Sequence, residues 1–170
     1  MRDSGGRRAP GSIVVGVDGS QGSARALAWT VREARDRHAA VRVVTAWAWG
    51  DSGAARQTRQ NQEALVRAVL ARCPGELPEV TSELVQGDAA SVLIECSHDG
   101  ELLVLGSRGT GDGADVAVGS VADACLHHAA CPVVVVPAGP PLGFGAAEPA
   151  AVDGRRTGLA PALLSAVGLL

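Results

Sequence analysis

The sequence has no lysine and no tyrosine, and only one phenylalanine, three tryptophans and one methionine in 170 residues. All fifteen basic residues are therefore arginine. Each absence excludes a chemistry. A Walker-type phosphate loop needs a lysine on the β- and γ-phosphates. Schiff-base and pyridoxal phosphate enzymes need a lysine amine. Base-stacking nucleic-acid modules need a supply of aromatic rings. The net charge of −3 removes the electrostatic basis for general DNA binding, so no nucleic-acid partner is expected. No run of about 18 apolar residues is present, so no membrane span is expected. Residues 1–10 lack the apolar stretch of a secretory leader. Cys73, Cys96, Cys125 and Cys131 form no CxxC pair. A reducing cytoplasmic location with free thiols is the expectation.

What is present is Val, Leu, Ala and Ile, within a 46% hydrophobic composition. The length suits one domain, at about 100–200 residues per domain. A chain of this size buries roughly 70% of its unfolded surface, so its core needs no staples.

Residues 1–11 are polar and rich in Gly and Arg, and read as a flexible N-terminal tail. Residues 12–17 (SIVVGV) form a continuous β-branched run, the mark of a strand buried on both faces. Ser23 is a plausible N-cap for a helix over 24–38, with Ala24, Leu27, Ala28, Val31 and Ala34 on one face. A second strand is predicted over 41–47, a loop over 50–58, and a helix over 56–72 ended by Cys73-Pro74-Gly75. A third strand covers 80–86. Asp88 caps a helix over 89–98, and a fourth strand covers 101–105. A glycine-rich stretch, 106–119, leads to a helix over 120–129 and a fifth strand over 132–136. Apolar strands alternating with helices indicate an α/β fold: a parallel sheet covered on both faces. Ligands of such folds sit at the carboxyl ends of strands, near a topological switch point.

Residues 138–170 differ. They form a Gly/Ala/Pro-rich C-terminal extension that reads as a linker up to Gly158. The apolar stretch 159–170 is either a frayed end or a segment that docks on a partner or membrane surface.

The chemistry concentrates in residues 106–120, GSRGTGDGADVAVGS. The glycines allow close backbone approach, so successive N–H groups can converge on an anion. Gly119-Ser120 falls where the next helix begins, and free amides with the positive dipole end favour phosphate there. Ser120 adds a hydroxyl and Arg108 a guanidinium fork. A flexible surface connection is the plainer alternative.

The spacing Gly106-x2-Gly109-x9-Gly119-Ser120 resembles the signature of ATP-binding universal stress proteins. The Val17-Asp18-Gly19-Ser20 turn resembles that family's opening. The segment from His127 through Val133 resembles its closing helix and fifth strand. The resemblance runs over residues 12–137. It implies an adenine-nucleotide α-hydrolase-like fold: five parallel strands in the order 3-2-1-4-5 with helices on both faces. It implies that Gly16, Val17 and Asp18 contact the adenosine half of ATP and that Ala46 lines the adenine slot. It implies that Gly106, Arg108 and Gly109 lie near ribose and phosphates. Gly119, Ser120 and Val121 match the helix start that holds the phosphates. It also implies a homodimer through the fifth strand, here Val133–Val136, and an exposed apolar edge strand is a physical reason for that pairing. The loop departs from the family in carrying Asp112 and Asp115. These bring Mg²⁺ to the phosphates, point to solvent, or weaken ATP in favour of a less charged nucleotide, and solvent is favoured for charged loop residues.

Other constellations carry less. Cys125, His127, His128 and Cys131 fit no standard metal spacing, and the cysteines read as small apolar residues, so no metal site is assigned. No catalytic triad or nucleophile elbow emerges. Trp47 and Trp49 suit ordinary packing better than an adenine wall. Arg25, Arg32 and Arg35 read as a solvated helix face.

The resulting expectation is a nucleotide-dependent stress-response regulator or sensor, read by an unknown protein partner and capable at most of slow ATP hydrolysis. A nucleotide-independent interaction module of the same fold is the alternative. An enzyme such as an adenylyltransferase ranks last, because no second substrate pocket is visible.

Overall fold

The computed structural model describes residues 11–47, 52–109, 118–137 and 139. The elements run β1 (Ser12–Gly16), α1 (Gln21–Arg37), β2 (Ala40–Trp47), α2 (Ser52–Leu70), β3 (Val80–Gln86), α3 (Ala89–Cys96), β4 (Leu102–Gly106), α4 (Ser120–His128) and β5 (Val133–Val136). The five strands are parallel and ordered β3-β2-β1-β4-β5. The order expected from the resemblance is the order observed.

The continuous apolar strands bury both faces, as their composition requires. Ile13 and Val15 of β1, with Val41, Val43, Leu102 and Val104, face α1 and α2. Val14, Val44, Leu103 and Leu105 face Val92, Leu93 and Cys96 of α3 and Ala122 and Cys125 of α4. The strand alternation thus sorts one chain into two cores, one on each side of the sheet.

Two boundaries differ from expectation by three residues or more. Ser20 is the N-cap of α1, not Ser23: the Ser20 hydroxyl accepts from the Ser23 N–H, at 3.1 Å. Asp18 decides between them. Its carboxylate accepts from the Ser20 N–H at 2.9 Å and sets a tight turn through Gly19, whose φ is +87°. That left-handed conformation favours glycine. The second difference is at α2, which begins at Ser52, inside the expected loop. Gly53 reads as a breaker, yet a first-turn glycine costs a helix little, and the Ala-Ala-Arg-Gln run that follows is helix-forming. At the far end of α1, His38 takes the left-handed conformation and closes the helix back onto Ala34 and Arg35.

Arg25 departs in part from a solvated face. It is half-buried, and its Nη2 atom is buried without a hydrogen-bond partner. Arg32 is exposed as expected. The four cysteines are unbridged. No helix among the described residues is long and apolar enough to cross a membrane. The flexible-tail expectation for residues 1–11 lies outside the described residues except at Gly11. The extension beyond Gly139 lies outside them entirely.

One ion pair spans β2 and β3. Arg42 donates to both carboxylate oxygens of Glu83, at 2.7 and 2.9 Å. The hydrogen bond to Arg42 lowers the Glu83 pKa from its ordinary value of 4.5. A carboxyl with a depressed folded pKa adds stability above its unfolded pKa and loses it as pH falls through the folded one. Glu83 is 39% exposed, so solvent screening limits the pair to about 0.5–1 kcal/mol. Glu83→Gln is expected to lower unfolding free energy by that amount at pH 7 and by nothing measurable at pH 2. Urea denaturation at the two pH values checks this.

Candidate functional site

The sheet order reverses between β1 and β4. α1, which follows β1, covers one face, and α4, which follows β4, covers the other, so the two loops diverge and leave a crevice. A cavity of about 250 Å³ fills it. Gly16, Val17, Asp18, Ala46, Gly106, Arg108, Gly109, Gly119, Ser120 and Val121 all line this cavity.

The floor comes from β1 and β2. Gly16 is buried, and a Cβ there would stand 2.6 Å from Leu105 Cδ2 and 3.1 Å from Leu93 Cδ1. Any side chain at 16 would therefore fill the cavity or displace those leucines. Val17 is held from both sides. Its N–H donates to the Val44 carbonyl at 2.9 Å, and its carbonyl accepts from the buried Thr45 hydroxyl at 2.8 Å. Asp18 is exposed at the rim. Ala46 is half-buried near the end of β2. Trp47 is half-buried beside it and does not line the cavity. Trp49 lies outside the described residues.

The walls come from the β4–α4 connection. A Cβ on Gly106 would stand 2.7 Å from the Gly22 carbonyl carbon, and one on Gly22 would stand 2.7 Å from the Arg108 carbonyl oxygen. The first turn of α1 and the end of β4 touch backbone to backbone. The buried Ser107 then ties three elements together. Its N–H donates to the Val136 carbonyl of β5 at 2.8 Å, and its carbonyl accepts from the Gly119 N–H at 2.7 Å. The glycine stretch leaves β4 and enters α4 through that hydrogen bond. Asp112 and Asp115 lie between, outside the described residues.

The three helix starts near the cavity are not alike. Ser20 caps α1 through its hydroxyl, and Asp88 caps α3 through its carboxylate. Hydrogen bonds from Ser91 hold the Asp88 carboxyl below the usual carboxylate range. α4 has Gly119 as its N-cap, which offers no side chain to the amides of the first turn. A helix leaves its first amides without intrahelical acceptors. The start of α4, where Ser120 is exposed, thus presents N–H groups and a positive dipole end at the cavity.

Sequence reasoning missed Ser23, Val44, Ala89, Leu93, Leu105, Ser107 and Ala122, which also line the cavity. Ser107 sits inside the glycine motif and was open to discovery there. The apolar members are set by the packing of α3 on the sheet, which no local signal reports. Cys125 is fully buried on the sheet-facing side of α4, and desolvation pushes its thiol to about 11. Among the described residues no group of three or more His, Cys, Asp or Glu is placed to hold a metal ion.

The profile of the universal stress protein family matches residues 11–137. A universal stress protein of Mycobacterium tuberculosis strain H37Rv is 32% identical over 135 residues, covering 74% of this chain and 47% of that protein. One from Mycolicibacterium smegmatis is 34% identical over 138 residues, covering 73% and 47%. The chain spans about half the length of these curated relatives. Among solved structures, a universal stress protein from Lactobacillus plantarum matches with a TM-score of 0.59 at 21% identity, over 76% of this chain and 99% of that one. A universal stress protein in complex with cAMP matches at 0.54 and 24% identity, over 76% and 98%. One from Archaeoglobus fulgidus in complex with dAMP matches at 0.56 and 24%, over 75% and 97%. These structural likenesses show the fold.

The Gly22–Gly106 contact yields a direct test. Gly106→Ala must push α1 from β4 or strain both backbones, at a cost of about 1–3 kcal/mol. Gly19→Ala, in open space, meets only the φ penalty of about 1 kcal/mol. Thermal or urea unfolding of the two variants is expected to rank Gly106→Ala as the more damaging.

Proposed function

The chain belongs to the universal stress protein family, and we propose that it binds an adenine nucleotide, ATP foremost, in the crevice between β1 and β4. The observation that carries this reading is the uncapped start of α4 beside a loop closed by the Gly119–Ser107 hydrogen bond. The cavity chemistry supports it. Val44, Ala46, Leu93 and Leu105 supply an apolar slot for a purine. The volume of about 250 Å³ sits near the lower edge of small-molecule sites, about 300–1,000 Å³, and suits the nucleoside half with phosphates running out along α4. The cAMP and dAMP complexes of related structures support the same ligand class.

In this reading Asp18, with the backbone of Gly16 and Val17, takes the adenosine half. Gly106, Arg108 and Gly109 take ribose and phosphates. Gly119, Ser120 and Val121 hold the phosphates through amides and a hydroxyl. Mg²⁺ enters with the triphosphate rather than as a resident ion. Hydrolysis is slow: among the described lining residues the only carboxylate is Asp18, which this reading assigns to the adenosine half and not to an attacking water. The ligand acts by stabilising one arrangement of the loop, to the extent of its differential affinity for the two states. Ser107 bonds directly to Val136, so that arrangement bears on β5. β5 is an edge strand of four half-buried valines, and it is the surface on which a second copy pairs in a homodimer. A protein partner reads the result in the cytoplasm.

Ser120→Asp tests the phosphate assignment without endangering the fold. A carboxylate in the first turn favours a helix by about 0.3–1 kcal/mol while repelling a phosphate. ATP affinity is expected to fall at least about tenfold, from the like-charge contact. Adenosine affinity and the melting temperature are not expected to fall. Unchanged ATP affinity in the variant, or no ATP binding by the wild type at millimolar nucleotide, contradicts the proposal. Equilibrium dialysis with both ligands supplies the measurement.

A further inference from the structure

The charges of this chain are sorted along its length. Twelve of the fifteen arginines precede residue 73, and twelve of the eighteen acids follow it. Among the described residues, part of that sorting falls on opposite sides of the sheet. α1 and α2 belong to the first half and lie on one side of the sheet; α3 and α4 belong to the second half and lie on the other. α1 and α2 carry seven arginines against Glu33, Asp36 and Glu63. Arg32, Arg37, Arg56, Arg59 and Arg67 are exposed there. Glu33 is taken up by Arg37, and Asp36 lies 3.8 Å from Arg35; Glu63, four residues from both Arg59 and Arg67, is the one remaining acid, so the arginines stay in excess.

The opposite face has no arginine on either helix. Glu95 of α3 and Asp123 of α4 are exposed on it, as is Asp99 in the turn after α3; Asp123 lies 3.9 Å from His127, with Leu126 standing 44% exposed beside it. Arg42 of β2 reaches toward Cys96 but is held by both oxygens of Glu83, and Arg108 lines the cavity at the start of α4. Among the described residues, the α1–α2 side therefore carries an excess of arginine and the α3–α4 side an excess of carboxylate.

We propose that the basic α1–α2 face of one molecule docks on the acidic α3–α4 face of a second copy. Both complementary surfaces are present in the one chain, and this makes a second copy the occupant. Complementary potentials steer encounter and fix orientation. The contact is heterologous, because two different patches meet, and it is separate from any pairing of β5 edges. An edge-strand contact between valines is insensitive to salt. A contact between charged faces is screened over a Debye length of about 10 Å at 0.1 M salt and about 3 Å at 1 M.

Two sets of exposed substitutions separate the cases. Arg32→Glu, Arg59→Glu and Arg67→Glu together make both faces acidic. Glu95→Arg, Asp99→Arg and Asp123→Arg together make both faces basic. In sedimentation velocity at about 20 mM salt, the wild type is expected to form larger species than at about 300 mM, with an association constant at least about tenfold higher. Each variant alone is expected to lose the salt-sensitive species and keep its circular dichroism spectrum. The two variants mixed are expected to associate with each other, since one retains the acidic face and the other the basic face. A wild-type profile that is the same at both salt concentrations overturns the proposal. So does a mixture whose components sediment independently.

Discussion

The first turn of α1 lies directly on the end of β4, because neither Gly22 nor Gly106 carries a Cβ to hold them apart. The cavity depends on that contact. It brings the Asp18–Ser20 turn and the Gly106–Gly109 turn to the same end of adjacent strands, where the sheet order reverses. Ser107, one residue beyond, then spends both halves of its backbone on neighbours: its N–H on β5 and its carbonyl on the start of α4. A loop rich in glycine would otherwise have wide conformational freedom. Here its two ends are pinned to the sheet and to each other. The α4 amides consequently stand at a defined place relative to the floor at Gly16 and Val17.

The lack of lysine bears on the same geometry. A phosphate bound here, as proposed, would meet no ammonium but peptide dipoles, the Ser120 hydroxyl and the Arg108 guanidinium. Backbone donors hold a ligand without supplying a general base, which suits a protein that responds to a nucleotide more than one that consumes it. The charge that the site lacks is found elsewhere. α1 and α2 carry seven arginines, while α3 and α4 carry none and one carboxylate each, Glu95 and Asp123, and the proposed contact between copies rests on that difference.

Much of this was legible in the residues, and the failures are instructive. Apolar runs gave β1, β2, β4 and β5, as a sheet with helices on both faces favours, while β3 was read from its alternation and is the more exposed edge. Asp88 was readable as a cap, since one acid stood before one apolar run. Ser20 and Ser23 were not separable in that way. Both are good N-caps, and the choice turns on Asp18 and on the positive φ of Gly19, which are features of the folded turn. The strand order came with the family resemblance, since alternation alone fits several orders. The glycine spacing located the two turns that line the cavity. Leu93, Ala89 and Leu105 could not be located similarly, because their place depends on how α3 crosses the sheet. The Gly22–Gly106 contact was equally hidden. Two glycines 84 positions apart announce nothing until β1 and β4 are known to be neighbours.

The central claim is that backbone amides at the start of α4 receive the phosphates of an adenine nucleotide. Amide chemical shifts from ¹H–¹⁵N spectra test it residue by residue as ATP and then adenosine are titrated in. With ATP, the largest changes are expected at Gly119, Ser120, Val121 and Ala122 and at the Gly106–Gly109 turn. With adenosine, the changes are expected to be confined to the floor around Gly16, Val17 and Ala46. Saturable ATP binding that leaves the α4 amides unmoved, or no binding at millimolar nucleotide, would contradict the account.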